Sequence, residues 1–290
     1  MVREPPAKPY TLAEAFAYCR RITFSHYENF TVASWFLPRD VRRHIYALYA
    51  FCRHTDDLGD EAPGDRLRLL DQWEAELRRC YDSAPDHPIL VALQDTARRF
   101  QMPPALFLKL IEANRMDQRI QRYATFADLL GYCDHSANPV GHMVLYVFGY
   151  CDEKRQRLSD ATCTALQLAN FWQDLALDLG KGRVYIPQED MERFGYSDED
   201  LRQAIVTPGF RALMAFEIAR TRGLFGEGLE LAQLVDRRLR ISVKLFILGG
   251  LAVLAAIERN GHDVFRRRPT LSRWQKAGLF VRACLPAPLS

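Results

Sequence analysis

Apolar and polar positions recur along nearly the whole chain at intervals of three and four residues, the period of an amphipathic helix, and no stretch shows the alternation of a strand. Thr11 followed by Glu14 makes a capping box that opens a first helix running to about Thr23. Pro38 suits the first turn of a second helix reaching about Glu61, after which Pro63-Gly64 breaks the chain. Further helices are expected over Asp65–Tyr81, Pro88–Phe100 and Pro104–Tyr123. One that starts at Phe126 is interrupted at Asn138-Pro139, where the proline ring removes a helical hydrogen bond and kinks the axis. Another covers about Leu158 to Leu179 and stops at Gly180-Lys181-Gly182. After a loop at Val184–Asp190, long helices fill about Pro208–Leu234 and Asp236–Asn260. With no repeat, low-complexity stretch or long linker, the expectation is all-α and a single domain over 1–290, with a core of about 10–265 and a basic tail at 266–290.

Composition narrows the function classes. At 290 residues and 48% hydrophobic, the chain can bury a large helical core, and its 11% aromatic content leaves rings to line a cavity as well as fill one. A net charge of +3 is too slight for a nucleic-acid face. The charge is concentrated at the end instead. From Glu258 onward seven basic residues stand against Glu258 and Asp263, interleaved with Phe265, Trp274, Leu279, Phe280 and Leu285. That pattern fits either a membrane-surface contact or a solvated C-terminal helix. Seven scattered cysteines read as free thiols in a reducing, cytoplasmic setting. Met1–Lys8 has no apolar signal-peptide core, and the longest apolar run, Leu245–Ile257, is short of the roughly 20 residues a spanning helix needs, so a soluble or peripheral protein is expected.

The chemistry-bearing pattern is acidic. Tyr49, Arg53, Asp56 and Asp60 fall at offsets of four, three and four, which puts them on one face of the second helix, with Asp57 and Glu61 beside the stripe. Gln167, Asn170, Asp174 and Asp178 repeat the arrangement on a later helix. Both stripes sit among large apolar residues (Ile45, Leu48 and Phe51; Leu168, Phe171, Trp172 and Leu175) and are therefore expected to look inward. Like charges four apart destabilise a helix, so a cation is called for, and hard divalent ions such as magnesium take carboxylates together with phosphate oxygens. Chance alone supplies about one Asp-x-x-x-Asp pair at this composition, and Asp82 with Asp86 is one in a turn. From spacing alone, a metal–diphosphate role and solvated acidic faces both stand.

Rival sites fit less well. The Glu-x-x-His pairs of a di-iron bundle and the Cys/His spacing of a zinc site are missing, and Gly180-Lys181-Gly182 lacks the remainder of a phosphate loop. No dinucleotide fingerprint occurs, so no NADPH is expected.

Leu48–Glu61, LYAFCRHTDDLGDE, resembles the first Asp-rich motif of the squalene/phytoene synthase family, and Leu166–Pro187, LQLANFWQDLALDLGKGRVYIP, resembles the second; the likeness runs from about Tyr18 to Phe265. The segments His26–Phe30, Ser136–Gly141 and Asn170–Asp174 resemble the hydroxysqualene synthase branch of the bacterial hopanoid pathway, which converts presqualene diphosphate and water to hydroxysqualene and diphosphate. Gln173 stands where condensing relatives usually carry arginine, and Gly250 falls where tyrosine is common. The alternatives are a head-to-head synthase making squalene or phytoene from two prenyl diphosphates, and a non-catalytic assembly protein of the same family.

The resemblance implies an isoprenoid synthase bundle whose central cavity is lined by two facing Asp-rich helices. It implies several diphosphate-bridging Mg2+ ions held by Asp56, Asp57, Asp60, Asn170, Asp174 and Asp178. Tyr49 and Arg53 join Asp56, Asp60, Asp174 and Asp178 as catalytic candidates. His26, Tyr27, Asn29, Phe30, Tyr132, Gln167, Asn170, Gln173, Lys181, Arg183 and Tyr185 are candidates for binding substrate, Arg183 and Lys181 by gripping diphosphate oxygens. Phe30, Phe51, Phe148 and Phe171 are candidate cavity liners, although any one of them is more often ordinary core, and Gln173, Ser136, Asn138 or His26 could hold the incoming water. Expected partners are the prenyl diphosphate, other enzymes of the squalene pathway and a membrane surface, with no nucleic acid.

Overall fold

The computed structural model of the chain describes residues 10–25 and 39–284. Among them the only strand-like feature is an isolated bridge between Arg122 and Val184; the rest is helix and connecting turns. The all-α expectation holds because every long apolar stripe finds a helical partner. The chain divides into two compact units, residues 1–118 with 142–151 and residues 119–141 with 152–290.

The first unit contains α1 (Leu12–Ser25), α2 (Arg39–Asp60), α3 (Arg66–Asp82), α4 (Pro88–Phe100) and α5 (Ala105–Arg119), with the later part of α7 (Asn138–Val147). The capping box at α1 forms as expected: Thr11 N–H donates to Glu14 Oε2 at 2.9 Å, and Glu14 N–H donates to Thr11 Oγ1 at 3.3 Å. Phe51 of α2 is fully buried, stacked on Trp73 of α3 with 5.6 Å between centroids and meeting Phe107 of α5 edge-on at 5.2 Å. Trp73 Nε1 donates to Thr55 Oγ1 at 3.0 Å, so the indole is buried without an orphaned donor. The same helix face that carries the apolar core thus fixes the roll of α2 and with it the direction of its acidic stripe.

The second unit contains α6 (Phe126–Ser136), the start of α7, α8 (Glu153–Gly180), the short α9 (Gln188–Arg193) and α10 (Asp198–Arg202), α11 (Pro208–Gly228), α12 (Leu231–Leu234), α13 (Arg237–Arg259) and α14 (Arg273–Cys284). Its centre is α8, which packs on α11, α13 and α6. Trp172, fully buried, donates from Nε1 to Thr221 Oγ1 of α11 at 2.9 Å. Gly250 of α13 lies against the ring of Phe225 on α11, so close that a Cβ would stand 2.9 Å from both Cε atoms.

Several boundaries differ from the periodicity. The interruption at Asn138-Pro139 is a break between α6 and α7 rather than a kink, because Pro139 occupies the first turn of a new helix, where its missing N–H costs nothing. The expected helix Pro208–Leu234 ends at Gly228 and restarts as α12, and the expected loop at Val184–Asp190 gives way to α9 at Gln188. Helix α8 begins five residues before Leu158, since Asp152 caps it by accepting from Arg155 N–H at 3.1 Å. Helix α13 spans 23 residues and is long and apolar enough to cross a membrane, which the run length Leu245–Ile257 alone does not reveal. One face of it, including Leu239, Ile247, Leu254 and Ile257, is buried in protein.

Candidate active site

In the first unit the stripe on α2 is graded. Tyr49 at its start is buried, whereas Asp56 is exposed and Arg53, Asp57 and Asp60 are half-buried. Arg53 Nε donates to Asp57 Oδ1 at 2.7 Å and its Nη2 to Glu61 Oε1 at 2.8 Å. The two acids that spacing placed beside the stripe are therefore the partners of Arg53. Burial works against its charge, but the hydrogen bond and charge of Asp57, with Asp56 and Glu61, outweigh it and raise its pKa further.

Asp56 has a partner that spacing on α2 could not show. Asn114 of α5, nearly buried, donates from Nδ2 to Asp56 Oδ1 at 3.2 Å. A Cβ at Gly59 would fall on the Asn114 side chain, so glycine is required for α5 to come this close. One turn on, Gln118 Nε2 donates to the Gly59 carbonyl at 2.9 Å. An Asn/Gln pair four apart facing the acidic helix was present in the sequence, but amides in a helix are too common to single it out.

In the second unit Gln167, Asn170, Asp174 and Asp178 follow one another along α8, with Asn170 exposed and the others half-buried. The apolar neighbours Leu168, Phe171, Trp172 and Leu175 are buried as expected, but the acidic groups of both stripes keep access to solvent. The end of α8 is shaped by Gly182 at φ +76°, which lets the N–H groups of Lys181 and Arg183 both reach the Asp178 carbonyl at 2.9 Å. Val184 N–H then donates to the Gln121 carbonyl at 2.9 Å and Gln188 N–H to the Tyr123 carbonyl at 3.0 Å, anchoring the segment that carries Lys181, Arg183 and Tyr185.

Tyr185 is stacked face to face on Phe171, 3.8 Å between centroids and 8° between planes. Tyr132 lies 5.6 Å and Tyr123 5.9 Å from the same ring. The structure thus gathers two tyrosines the sequence proposed, Tyr132 and Tyr185, around Phe171, and adds Tyr123 against those two tyrosines. Asn138 is nearly buried and accepts from Thr164 Oγ1 at 3.0 Å, while the Ser136 hydroxyl is buried with no hydrogen-bond partner among the described residues. Phe51 is plain core. His26, Tyr27, Asn29 and Phe30 lie outside the described residues.

Gln173 is 7% exposed, and its Nε2 donates to the Pro269 carbonyl. Next to it, Asp174 is forked by Arg268: Nε donates to Oδ1, and Nη2 to Oδ2 at 2.9 Å. Arg268 is a site neighbour that no motif announces, 94 residues along the chain from its partner. Each stripe by itself offers oxygen ligands of the kind a hard divalent ion takes, Asp56, Asp57 and Asp60 on α2 and Asn170, Asp174 and Asp178 on α8, although among the described residues no three His, Cys, Asp or Glu side chains are grouped closely enough to hold one. Asp174 already takes a cation, the Arg268 guanidinium, as its partner.

Comparison with known proteins places this geometry. The squalene/phytoene synthase family model matches residues 24–275. The 15-cis-phytoene synthase of Synechococcus elongatus is 33% identical over 95% of this chain and 96% of its own, and phytoene synthase 2 of Solanum lycopersicum is 32% identical over 91% and 88%. Among solved structures, squalene synthase HpnC from Alicyclobacillus acidocaldarius is 51% identical, with a TM-score of 0.84 over 87% of this chain and 96% of that one. A dehydrosqualene synthase crystallised with ligand is 26% identical, with a TM-score of 0.87 over 94% and 96%. Two acidic helices, the tyrosines beside the second and a match across most of the chain make this protein a member of the squalene/phytoene synthase family, an enzyme that acts on prenyl diphosphates.

Proposed function

We propose that the chain works as one catalytic domain and is a hydroxysqualene synthase, converting presqualene diphosphate and water to hydroxysqualene and diphosphate with magnesium. The observation that carries this reading is the pair of positions at which condensing relatives usually have arginine and tyrosine. Here Gln173 is buried and spends its amide on the Pro269 carbonyl, and Gly250 is packed on Phe225 with no room for a side chain. A substrate bringing one diphosphate asks for fewer cations than two prenyl diphosphates do. The 51% identity to squalene synthase HpnC supports the coarser part of this reading, a squalene-type synthase.

In this reading Asp56, Asp57, Asp60, Asn170, Asp174 and Asp178 hold magnesium, which when bound supplies Lewis-acid neutralisation of the departing diphosphate. Arg53, Lys181 and Arg183 grip diphosphate oxygens, and Tyr49 contributes a hydroxyl. The ring group of Tyr132, Phe171 and Tyr185 offers π faces to a substrate cation and excludes stray water. His26, Tyr27, Asn29, Phe30 and Gln167 remain substrate-binding candidates. Ser136, half-buried with a hydroxyl that has no partner among the described residues, is the residue best suited to hold the one water that must arrive.

Mass spectrometry of products from purified protein with magnesium tests the assignment. Presqualene diphosphate is expected to yield hydroxysqualene, and farnesyl diphosphate alone no hydrocarbon. Squalene or phytoene formed from two prenyl diphosphates, with no alcohol, would instead establish head-to-head condensation, the second reading, which the phytoene synthase relatives favour.

The protein acts in the cytoplasm at the inner membrane face in this proposal. Helix α14 supports it: Trp274 is 87% exposed and Val281 is exposed, amid the basic residues of the tail. Replacing Trp274 and Val281 together by serine is expected to weaken binding to anionic vesicles while leaving turnover of detergent-solubilised substrate unchanged. Equal loss of both would make the helix structural.

A further inference from the structure

Residues 263–270 form a strap that returns to α8. Asp263 turns the chain, its Oδ1 accepting from the N–H groups of Phe265 and Arg266 at 3.1 Å, and Phe265 packs 5.1 Å from the Phe210 ring. The strap then makes two consecutive ties to two consecutive residues of α8: Arg268 to Asp174 through both carboxylate oxygens, and the Pro269 carbonyl to Gln173. The second tie is neutral and buried. The first is ionic and accessible, with the Arg268 side chain 49% exposed and that of Asp174 25% exposed.

A bidentate guanidinium takes a lone pair on each carboxylate oxygen and sets a full positive charge against them, so it opposes a divalent ion at the same carboxylate by occupancy and by repulsion. Arg268 also lines a cavity of about 330 Å³ together with Arg259 and Arg267. Three like charges around one cavity repel, so Arg268 gains from keeping the carboxylate until another cation takes it. Resting on the reading of Asp174 as a metal ligand, we propose that Arg268 is a built-in competitor for metal at that carboxylate, so that loading the second motif and loosening the C-terminal strap are one exchange. Arg268 is in this sense a positioning residue: it keeps the Asp174 carboxylate oriented and occupied until metal arrives.

The test is Mn2+ binding to the full chain, by calorimetry or electron paramagnetic resonance, with Mn2+ alone and again with inorganic pyrophosphate. Arg268→Gln is expected to bind Mn2+ roughly fivefold tighter, the factor equivalent to about 1 kcal/mol, the upper end for a partly exposed ion pair. Arg266→Gln, which removes the same charge from an exposed residue paired with Asp263, is expected to leave affinity unchanged. As a second readout, Mn2+ is expected to speed tryptic cleavage after Arg266 and Arg267 in the unaltered protein, whereas Arg268→Gln is cut quickly with or without metal. Asp174→Asn separates the two levels of the argument. If it weakens Mn2+ binding while Arg268→Gln changes nothing or weakens it too, the competitor role is wrong and the metal assignment stands. If Asp174→Asn also leaves affinity untouched, the metal assignment at Asp174 fails and the exchange fails with it.

Discussion

Alanine at Asp56 or at Asp174 is expected to lower turnover by about three orders of magnitude while leaving helical content intact. A metal clamp on a departing diphosphate supplies several kcal/mol of charge stabilisation, and each 1.4 kcal/mol or so is tenfold in rate. Folding has little at stake in either residue. Asp56 is exposed and accepts an amide hydrogen bond from Asn114, and the partner of Asp174 is a half-exposed arginine, an arrangement worth about 0.2–1 kcal/mol. Asp71 provides the control: it is 68% exposed and paired with Arg115 at 2.7 Å, and its replacement is expected to leave turnover unchanged. Steady-state turnover and circular dichroism on the same preparations decide the matter. Near-normal activity in either alanine variant would remove that carboxylate from the metal set, and loss of helicity would reassign it to structure.

Gly250→Tyr is expected to destabilise the protein by about 3 kcal/mol, the upper range for overpacking a filled core. The Phe225 ring occupies the space a side chain at 250 would need, and Phe225 is itself buried, so neither group can move to solvent without opening the interface of α11 and α13. Phe225→Ala alone is expected to cost about 3–5 kcal/mol by leaving a cavity. The double variant, in which tyrosine fills that cavity, is expected to lose clearly less than the sum of the two, a coupling that denaturant titration resolves. Simple additivity would mean that the two positions do not compete for the same volume. With coupling, a tyrosine at 250 is compatible only with a smaller residue at 225, and the glycine here is tied to the packing of the whole second unit rather than to the site alone.

These expectations draw on two different sources of information. Helical class, most helix starts and the alignment of Tyr49, Arg53, Asp56 and Asp60 on one face were legible in the sequence, because they depend on a 3.6-residue period and on caps within a few residues, as Thr11 and Glu14 show. The likeness of the two Asp-rich segments to a known family was legible for the same reason: each motif is a short run on one helix. Where the reading failed, a local alternative of similar energy existed. At Asn138-Pro139 a kinked helix and a new helix satisfy the same proline, and at Gly228 one helix or two fit the same apolar spacing.

The sequence by itself therefore determined the helices, the order of their polar faces and the oxygen-rich chemistry those faces offer. Only the tertiary structure decided which groups answer them: Asn114 at Asp56, the Pro269 carbonyl at Gln173, the Phe225 ring at Gly250 and the Arg268 fork at Asp174. Periodicity fixes the direction of a side chain relative to its own helix axis. What stands opposite depends on how residues far apart in the chain are packed together, and a hydrogen bond or ion pair across such a distance leaves no spacing to read.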